Sequence, residues 1–355
     1  MNTGLIKNLI FFPLLSAFLV SVIVTPLVIY LYHRLGWVED PQKTLRPKDT
    51  HTYPVPRGGS IPIYLSLLVT SIIFLPFDTQ LKGIIAGITI MAIIGIADDR
   101  LDLNPYLRFI LEFLAAGLVV ISGIGIRFIT NPFGGIINLS PIIATIVALV
   151  WIVFLANIVN WAKGFDGQLP GVVVIAGITI ALFSLRYSAD ITQWPVAILA
   201  SITAGAYLGF LPYNFYPQKI MPGYGGGTLA GFIIAILTIL STSKILTGMV
   251  VLGVPLIDAI YSIIRRISIG KSPVWGDRGH LHHKILDEWK WGKRKAAIFY
   301  WLVTAFLGVL ALCLNSRQKL YTIIMLAVVI GGLLLWFNFL KSYSSQSDPG
   351  RRSKT

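Results

Sequence analysis

Eleven apolar runs follow one another along this chain, several of them short but most about as long as the hydrocarbon core of a bilayer is thick. They fall near residues 8–32, 61–77, 81–97, 106–123, 141–159, 170–186, 195–212, 228–242, 245–264, 296–314 and 320–340. A crossing helix needs roughly 17–25 apolar residues, and only helices and closed barrels satisfy every backbone polar group in lipid. The pattern predicts an all-α, polytopic integral membrane protein with about ten or eleven transmembrane helices. These form a single domain over residues 1–340, followed by a disordered tail over 341–355. The first run is too long for a signal-peptide core and reads as a retained span. The eighth and ninth runs, parted only by Ser241 to Lys244, are the least distinct pair.

Composition narrows the class. Of 355 residues 55% are hydrophobic and 12% charged, against about 25% charged in a soluble domain, so no large soluble core is available. The net charge of +14 would suit nucleic acid in a soluble chain. In a membrane chain it follows from the positive-inside bias and from anionic lipid, and no nucleic-acid partner is expected. Cys313 is the one cysteine and lies in an apolar run, which excludes a disulfide framework and a thiolate metal site. With the N-terminus outside, the loops at 33–60, 98–105, 161–169, 213–227 and 265–295 and the tail share one face. That face holds most of the 29 basic residues, which makes it cytoplasmic. The expected localisation is the cell membrane, multi-pass. On the other face, residues 125–140 alternate apolar and polar around Gly134-Gly135 and read as a small external hairpin.

The reactive side chains gather on the basic face. Asn157, Asn160, Lys163 and Asp166 stand where a span meets water, a depth at which polar groups usually mark a site. Lys48 and Arg57, the latter before Gly58-Gly59, are suited to phosphate. Asp98 and Asp99 close a span in a loop with Asp102 and suit a hard cation. Gly223-Tyr224-Gly225-Gly226-Gly227 reads either as a phosphate cradle at a helix start or as a flexible linker. Arg278, His280, His282 and His283 form a cationic loop. Zinc is one reading of the histidines; the lack of Cys and of nearby carboxylates favours diphosphate recognition. The stretch from Glu288 to Lys295 predicts a helix at head-group level. Arg108 and Glu112, four apart on one helix, read as a structural pair. No cluster lies at mid-membrane depth, where a transporter holds its substrate.

These pieces, in order, resemble the polyprenyl-phosphate N-acetylhexosamine-1-phosphate transferases. The resemblance runs over nearly the whole length. It starts at His51…Pro54-Val55-Pro56-Arg57-Gly58-Gly59, Asp98-Asp99 and Asn157-x-x-Asn160…Gly164-Phe165-Asp166-Gly167. It continues through Lys219-Ile220…Gly223 to Asp277-Arg278-Gly279-His280-Leu281-His282-His283. The last motif is closer to the branch that uses UDP-N-acetylglucosamine. The resemblance implies a cytoplasmic active site that uses Mg²⁺, takes a UDP-sugar and undecaprenyl phosphate as partners within the bilayer, and releases UMP; it leaves room for a homodimer. It implies that Asp98 and Asp99 serve catalysis, with Asp99 and Asn160 at the metal. Asn157, Lys163 and Asp166 would bind the nucleotide; Lys48, Arg57, Arg278, His280, His282 and His283 would hold the phosphates. Two positions depart from the family. Its Asp-Gly-x-Asp-Gly begins here with Lys163. Its Met-Gly-Asp, whose Asp is a Mg²⁺ ligand, is here Pro222-Gly223-Tyr224. An ammonium in place of a carboxylate beside a divalent ion is unfavourable, so either metal binding is weaker here or the metal is held differently; the coincident loss of an acid and gain of a lysine raises the hypothesis that the Lys163 ammonium replaces part of the metal's charge on the diphosphate. A second reading is a catalytically silent relative that binds polyprenyl phosphate or a nucleotide sugar.

Overall fold

The computed structural model describes residues 3–42, 51–131, 133–187, 189–241, 244–272 and 279–347. The chain begins with α1 (Thr3–Ile6), a π-helical stretch (Lys7–Phe11) and α2 (Phe12–Arg34), which together make one long apolar helix. After the short strands β1 (Val38–Glu39) and β2 (Val55–Pro56) come α3 (Ser60–Phe74), α4 (Thr79–Leu101) and α5 (Pro105–Ile121). A hairpin of β3 (Phe128–Thr130) and β4 (Ile136–Asn138) leads into α6 (Pro141–Trp161), α7 (Gln168–Arg186) and α8 (Trp194–Asn214). The second half holds α9 (Gly223–Leu240), α10 (Lys244–Val251), α11 (Gly253–Ser268), α12 (Leu281–Asp287), α13 (Lys293–Cys313) and α14 (Ser316–Ser347).

Every predicted run is helical, but fewer are straight spans than expected. Among the described residues eight helices are long and apolar enough to cross a membrane, or nine if one bent pair counts. That pair is the ninth predicted run: Ile245–Val251 and Gly253–Ser268 meet at 87°. The second run, α3, has 15 residues and rises only about 22 Å at 1.5 Å per residue. The fourth, α5, carries Arg108 and Glu112. The alternating stretch is the predicted hairpin, with Phe128 opposite Asn138 and Thr130 opposite Ile136. The helix predicted over 288–295 is absent: α12 ends at Asp287, Lys290 turns with φ +53°, and α13 starts at Lys293. Trp289 and Trp291 instead pack against each other, 5.1 Å between rings. The last helix continues to Ser347, past the predicted start of the tail.

α9 is the central helix. Its apolar stretch is 89% buried, against 22% for the first and last spans, and it packs on α3, α4, α6, α7, α8 and α10. The glycines at its start explain this enclosure. They belong to the helix itself rather than to a linker or a phosphate-binding loop. A Cβ on Gly95 would lie 2.2 Å from the Gly225 Cα, so α4 and α9 meet backbone to backbone. The loop before α3 is pinned to the loop before α9 by Gly59 N to Met221 O (3.0 Å) and Met221 N to Pro56 O (2.8 Å). Together with the β1–β2 pairing (Val38 opposite Pro56), this places Arg57 over the ends of α4 and α9.

Candidate active site

One cavity of about 480 Å³ opens where α4, α5, α6, α9 and α12 come together. Arg57, Asp98, Asn157, Asn160, Lys163, His280, His282 and His283 all line it. They come from four separate parts of the chain. His51, Glu39, Arg108 and Tyr224 join them, and Phe109, Phe113, Val150, Val153, Phe154 and Ile263 form an apolar wall. Two predicted residues stand outside the lining. Asp99 is held by two lining residues, Arg57 and Tyr224. Asp166 faces Lys293. Lys48 and Arg278 lie outside the described residues.

The acids at the end of α4 are all engaged. Asp98 Oδ1 accepts from Arg108 Nη1 (2.8 Å) and from Leu103 N (3.1 Å). Asp99 Oδ1 accepts from Tyr224 N (2.9 Å) and faces Arg57 Nε at 3.3 Å. Arg57 also meets Glu39 at 3.4 Å. Burial works against the Arg57 charge, but Asp99 first, then Glu39, Asp98 and Asp102, outweigh it and hold the guanidinium above its ordinary value. Arg108 and Glu112 form no ion pair among the described residues. Arg108 reaches Asp98 instead and lies 4.6 Å from the centre of the Tyr224 ring. Glu112, buried at 1% exposure, accepts from the Tyr224 hydroxyl and from Asn157 Nδ2. A helix neighbour at i+4 was outcompeted by partners that tertiary packing brings closer.

The 157–167 stretch holds the opposite wall. α6 ends at Trp161, so Asn157 and Asn160 sit in its last turns and Lys163 in the connection to α7. Lys163 Nζ donates to Gly223 O (2.5 Å) and lies 5.8 Å from the Tyr224 ring centre. Asp166, 1% exposed, accepts from Lys293 Nζ (3.1 Å) and from Gln218 N (3.3 Å). It thereby ties this loop to the start of α13 and to the loop before α9. The histidines complete the rim. His280 caps α12. Its ring stacks on His282 (5.4 Å, 6° between planes), and His282 lies 4.3 Å from His283. The stacking joins His280 to His282, two residues apart in the chain. His280 Nδ1 meets Asp258 Oδ2 at 2.9 Å, and Leu281 N donates to Asp258 Oδ1 at 2.7 Å.

Asp258, Lys293 and Tyr224 are the site residues that the sequence reading passed over or gave no contact. Asp258 carried a usable signal, since an acid inside an apolar helix is a functional candidate by default. Lys293 had none, being one cation in a basic run.

The residues do not fit the divalent cation that the family implies. Mg²⁺ takes near-octahedral oxygen ligands, with one or two carboxylates beside substrate phosphates. Among the described residues no group of three or more His, Cys, Asp or Glu is placed to hold a metal. Asp98 and Glu112 are occupied by donors. Among the described residues, two buried side-chain oxygens at the turn where α4 and α6 meet α9 have no hydrogen-bond partner, Asp99 Oδ2 and Asn160 Oδ1. One of them is neutral, and the other belongs to a carboxylate already facing Arg57.

A family model described as glycosyl transferase family 4 matches residues 81–242, the part that contains Asp98, Asp99, Asn160, Lys163, Asp166 and the start of α9. The chain is 28% identical to the decaprenyl-phosphate N-acetylglucosaminephosphotransferase of Mycobacterium tuberculosis, over 94% of this chain and 90% of that protein. It is 28% identical to the probable undecaprenyl-phosphate N-acetylglucosaminyl 1-phosphate transferase of Bacillus subtilis, over 88% of each chain. It is also 28% identical to the undecaprenyl-phosphate alpha-N-acetylglucosaminyl 1-phosphate transferase of Haemophilus influenzae, over 94% and 92%. This multi-pass membrane protein is thus similar to glycosyl transferase family 4 across the acid and carboxamide walls, and nearly end to end to polyprenyl-phosphate N-acetylglucosamine phosphotransferases.

Proposed function

We propose that this protein transfers N-acetylglucosamine 1-phosphate from its UDP-linked form to undecaprenyl phosphate or a similar polyprenyl phosphate. The reaction releases UMP at the cytoplasmic face of the cell membrane and begins a cell-envelope polysaccharide. The observation that carries this reading is the cavity itself. Cationic and amide groups from 57, 157–163 and 280–283 share it with an apolar wall from α5 and α6. An anionic head group attached to a hydrocarbon chain and a second phosphorylated molecule both find chemistry there that suits them.

In the proposed reaction an oxygen of the lipid phosphate attacks the sugar-bearing phosphorus of the UDP-sugar. A new P–O bond forms, the bond to the bridging oxygen breaks, and that oxygen leaves on UMP. Such a transfer needs positioning and charge neutralisation more than covalent help from the protein. Arg57 and Lys163 supply charge and hydrogen-bond donors on one side and the imidazole cluster donors on the other. Asp99 sets the direction of Arg57. Asp166, held by Lys293, positions the loop that carries Lys163.

Purified full-length protein is incubated with UDP-N-acetylglucosamine and undecaprenyl phosphate, and UMP is measured. The expected result is UMP formation that Asp99→Asn abolishes. The occupied state of Asp98, Asp99 and Glu112 favours a second reading, a silent relative that binds the same ligands. Binding of UDP-N-acetylglucosamine without UMP under any buffer condition would establish that reading.

A further inference from the structure

The divalent cation implied by the family does not fit these residues, and what stands in its region is an ammonium. Lys163 Nζ lies on the carbonyl of Gly223, the first residue of α9. At the same turn a Cβ on Gly223 would lie 2.0 Å from Asp99 Oδ2, and one on Gly227 2.2 Å from Asn160 Oδ1. The two partnerless acceptors thus flank consecutive turns of one helix, and Lys163 reaches the first of those turns. Lys163 and Asp99 act on each other electrostatically. The carboxylates around that turn are engaged by Arg57, Arg108, Asn157 and Tyr224, and a positive charge is already installed beside them. The neighbouring ring is Tyr224, whose hydroxyl is engaged by Glu112.

We propose that Lys163 is the charge-neutralising catalytic residue for the donor diphosphate, and that this protein binds its nucleotide and transfers phosphate without a divalent metal. The proposal rests on the transferase reading above for its chemistry. A lysine ammonium is a compact point charge with three donors on a flexible stem. Its bond to Gly223 O is to a neutral carbonyl. A diphosphate oxygen makes the stronger, charge-assisted bond to the same ammonium, so arrival of the donor draws Lys163 from the helix end onto the phosphates. Lys163 would then offset the charge that builds on the leaving UMP oxygen. Asp99 and Asn160 stay in place as acceptors for the ammonium's remaining protons. No step requires a co-reactant beyond the two substrates.

The test has one arm that needs no turnover. Full-length protein in detergent is titrated with Mn²⁺ and followed by electron paramagnetic resonance, and UDP binding is measured by calorimetry in excess EDTA. The expected wild-type result is no stoichiometric Mn²⁺ site and clear UDP binding in EDTA. Lys163→Gln should weaken that binding by at least about tenfold, the loss of one hydrogen bond to a charged group. Lys163→Asp should gain a Mn²⁺ site of about one ion per chain, from which Mg²⁺ displaces it. One Mn²⁺ per wild-type chain, displaced by Mg²⁺, overturns the proposal, as does UDP binding only when Mg²⁺ is present. In the second arm, UMP release is compared in EDTA and in Mg²⁺. Equal rates support the proposal, and activity abolished by EDTA and restored by Mg²⁺ overturns it. Absence of UMP in both buffers refutes the transferase reading alone. In that case the wild-type Mn²⁺ and UDP measurements still decide whether Lys163 or a metal meets the diphosphate, even if the Lys163 variants fail to fold.

Discussion

The hydroxyl of Tyr224 donates a hydrogen bond to Glu112 Oε1, joining the first turn of α9 to the middle of α5. Glu112 Oε2 accepts from Asn157 of α6. One buried carboxylate therefore links three helices around the cavity, and Arg108 lies over the Tyr224 ring on the same side. The resemblance drawn from the sequence implies a metal-binding acid at this position. Here the position builds the wall of the site.

Removing that hydroxyl should destabilise the wall. Tyr224→Phe leaves Glu112 Oε1 buried without its donor, at a cost of about 1–3 kcal/mol. The expected outcome is a lower Tm of the detergent-purified protein. An unchanged Tm would show that the bond adds nothing net to the fold.

Asp258 orients the imidazole cluster. Its two oxygens hold His280 Nδ1 and Leu281 N. Because a carboxylate only accepts hydrogen bonds, it selects the His280 form that carries a proton on Nδ1. Asp258→Asn keeps an acceptor for Leu281 N but presents donors to His280. The expected outcome is UMP release slowed by at least about tenfold, comparable to losing one charged hydrogen bond, with Tm little changed. Loss of folded protein together with activity would mean that Asp258 serves the fold alone.

Gly164 gives the His282 ring its place. A Cβ there would lie 1.9 Å from His282 Cδ2, and His282 is 2% exposed, so the ring has to move. Overpacking of this kind costs about 1–3 kcal/mol. Gly164→Ala should lower UMP release sharply. Gly117→Ala, where nothing lies within 4 Å of the added atom, should leave the rate unchanged. Equal rates for the two variants would remove His282 from the working site.

Much of the site was readable before its geometry was known. Asp98, Asn157, Asn160 and Lys163 were marked by the same physical fact, polar groups at the ends of long apolar runs, and they do share one cavity. Which partner each takes was not readable. Arg108 lies one helical turn from Glu112, and local spacing pairs them. The end of α4 instead brings Asp98 within 2.8 Å of Arg108. The glycine run at 223–227 read as a linker or a phosphate loop because its composition is compatible with both. Only the approach of α4 to within a backbone's width shows that it is a packing surface.

The amino-acid order by itself determined that this chain lives in a membrane, that its helices number about as many as its apolar runs, and that most of its reactive groups gather at the ends of a few of those runs and in the loops that follow them. Hydropathy is a sum over neighbours in the chain, so these properties need no knowledge of the fold. The tertiary structure alone decided that Glu112 bonds Tyr224, that Asp258 holds His280 and that Lys163 rests on Gly223. Each of those bonds depends on a distance of a few ångströms between residues far apart in the chain, and such distances are set by how the helices pack.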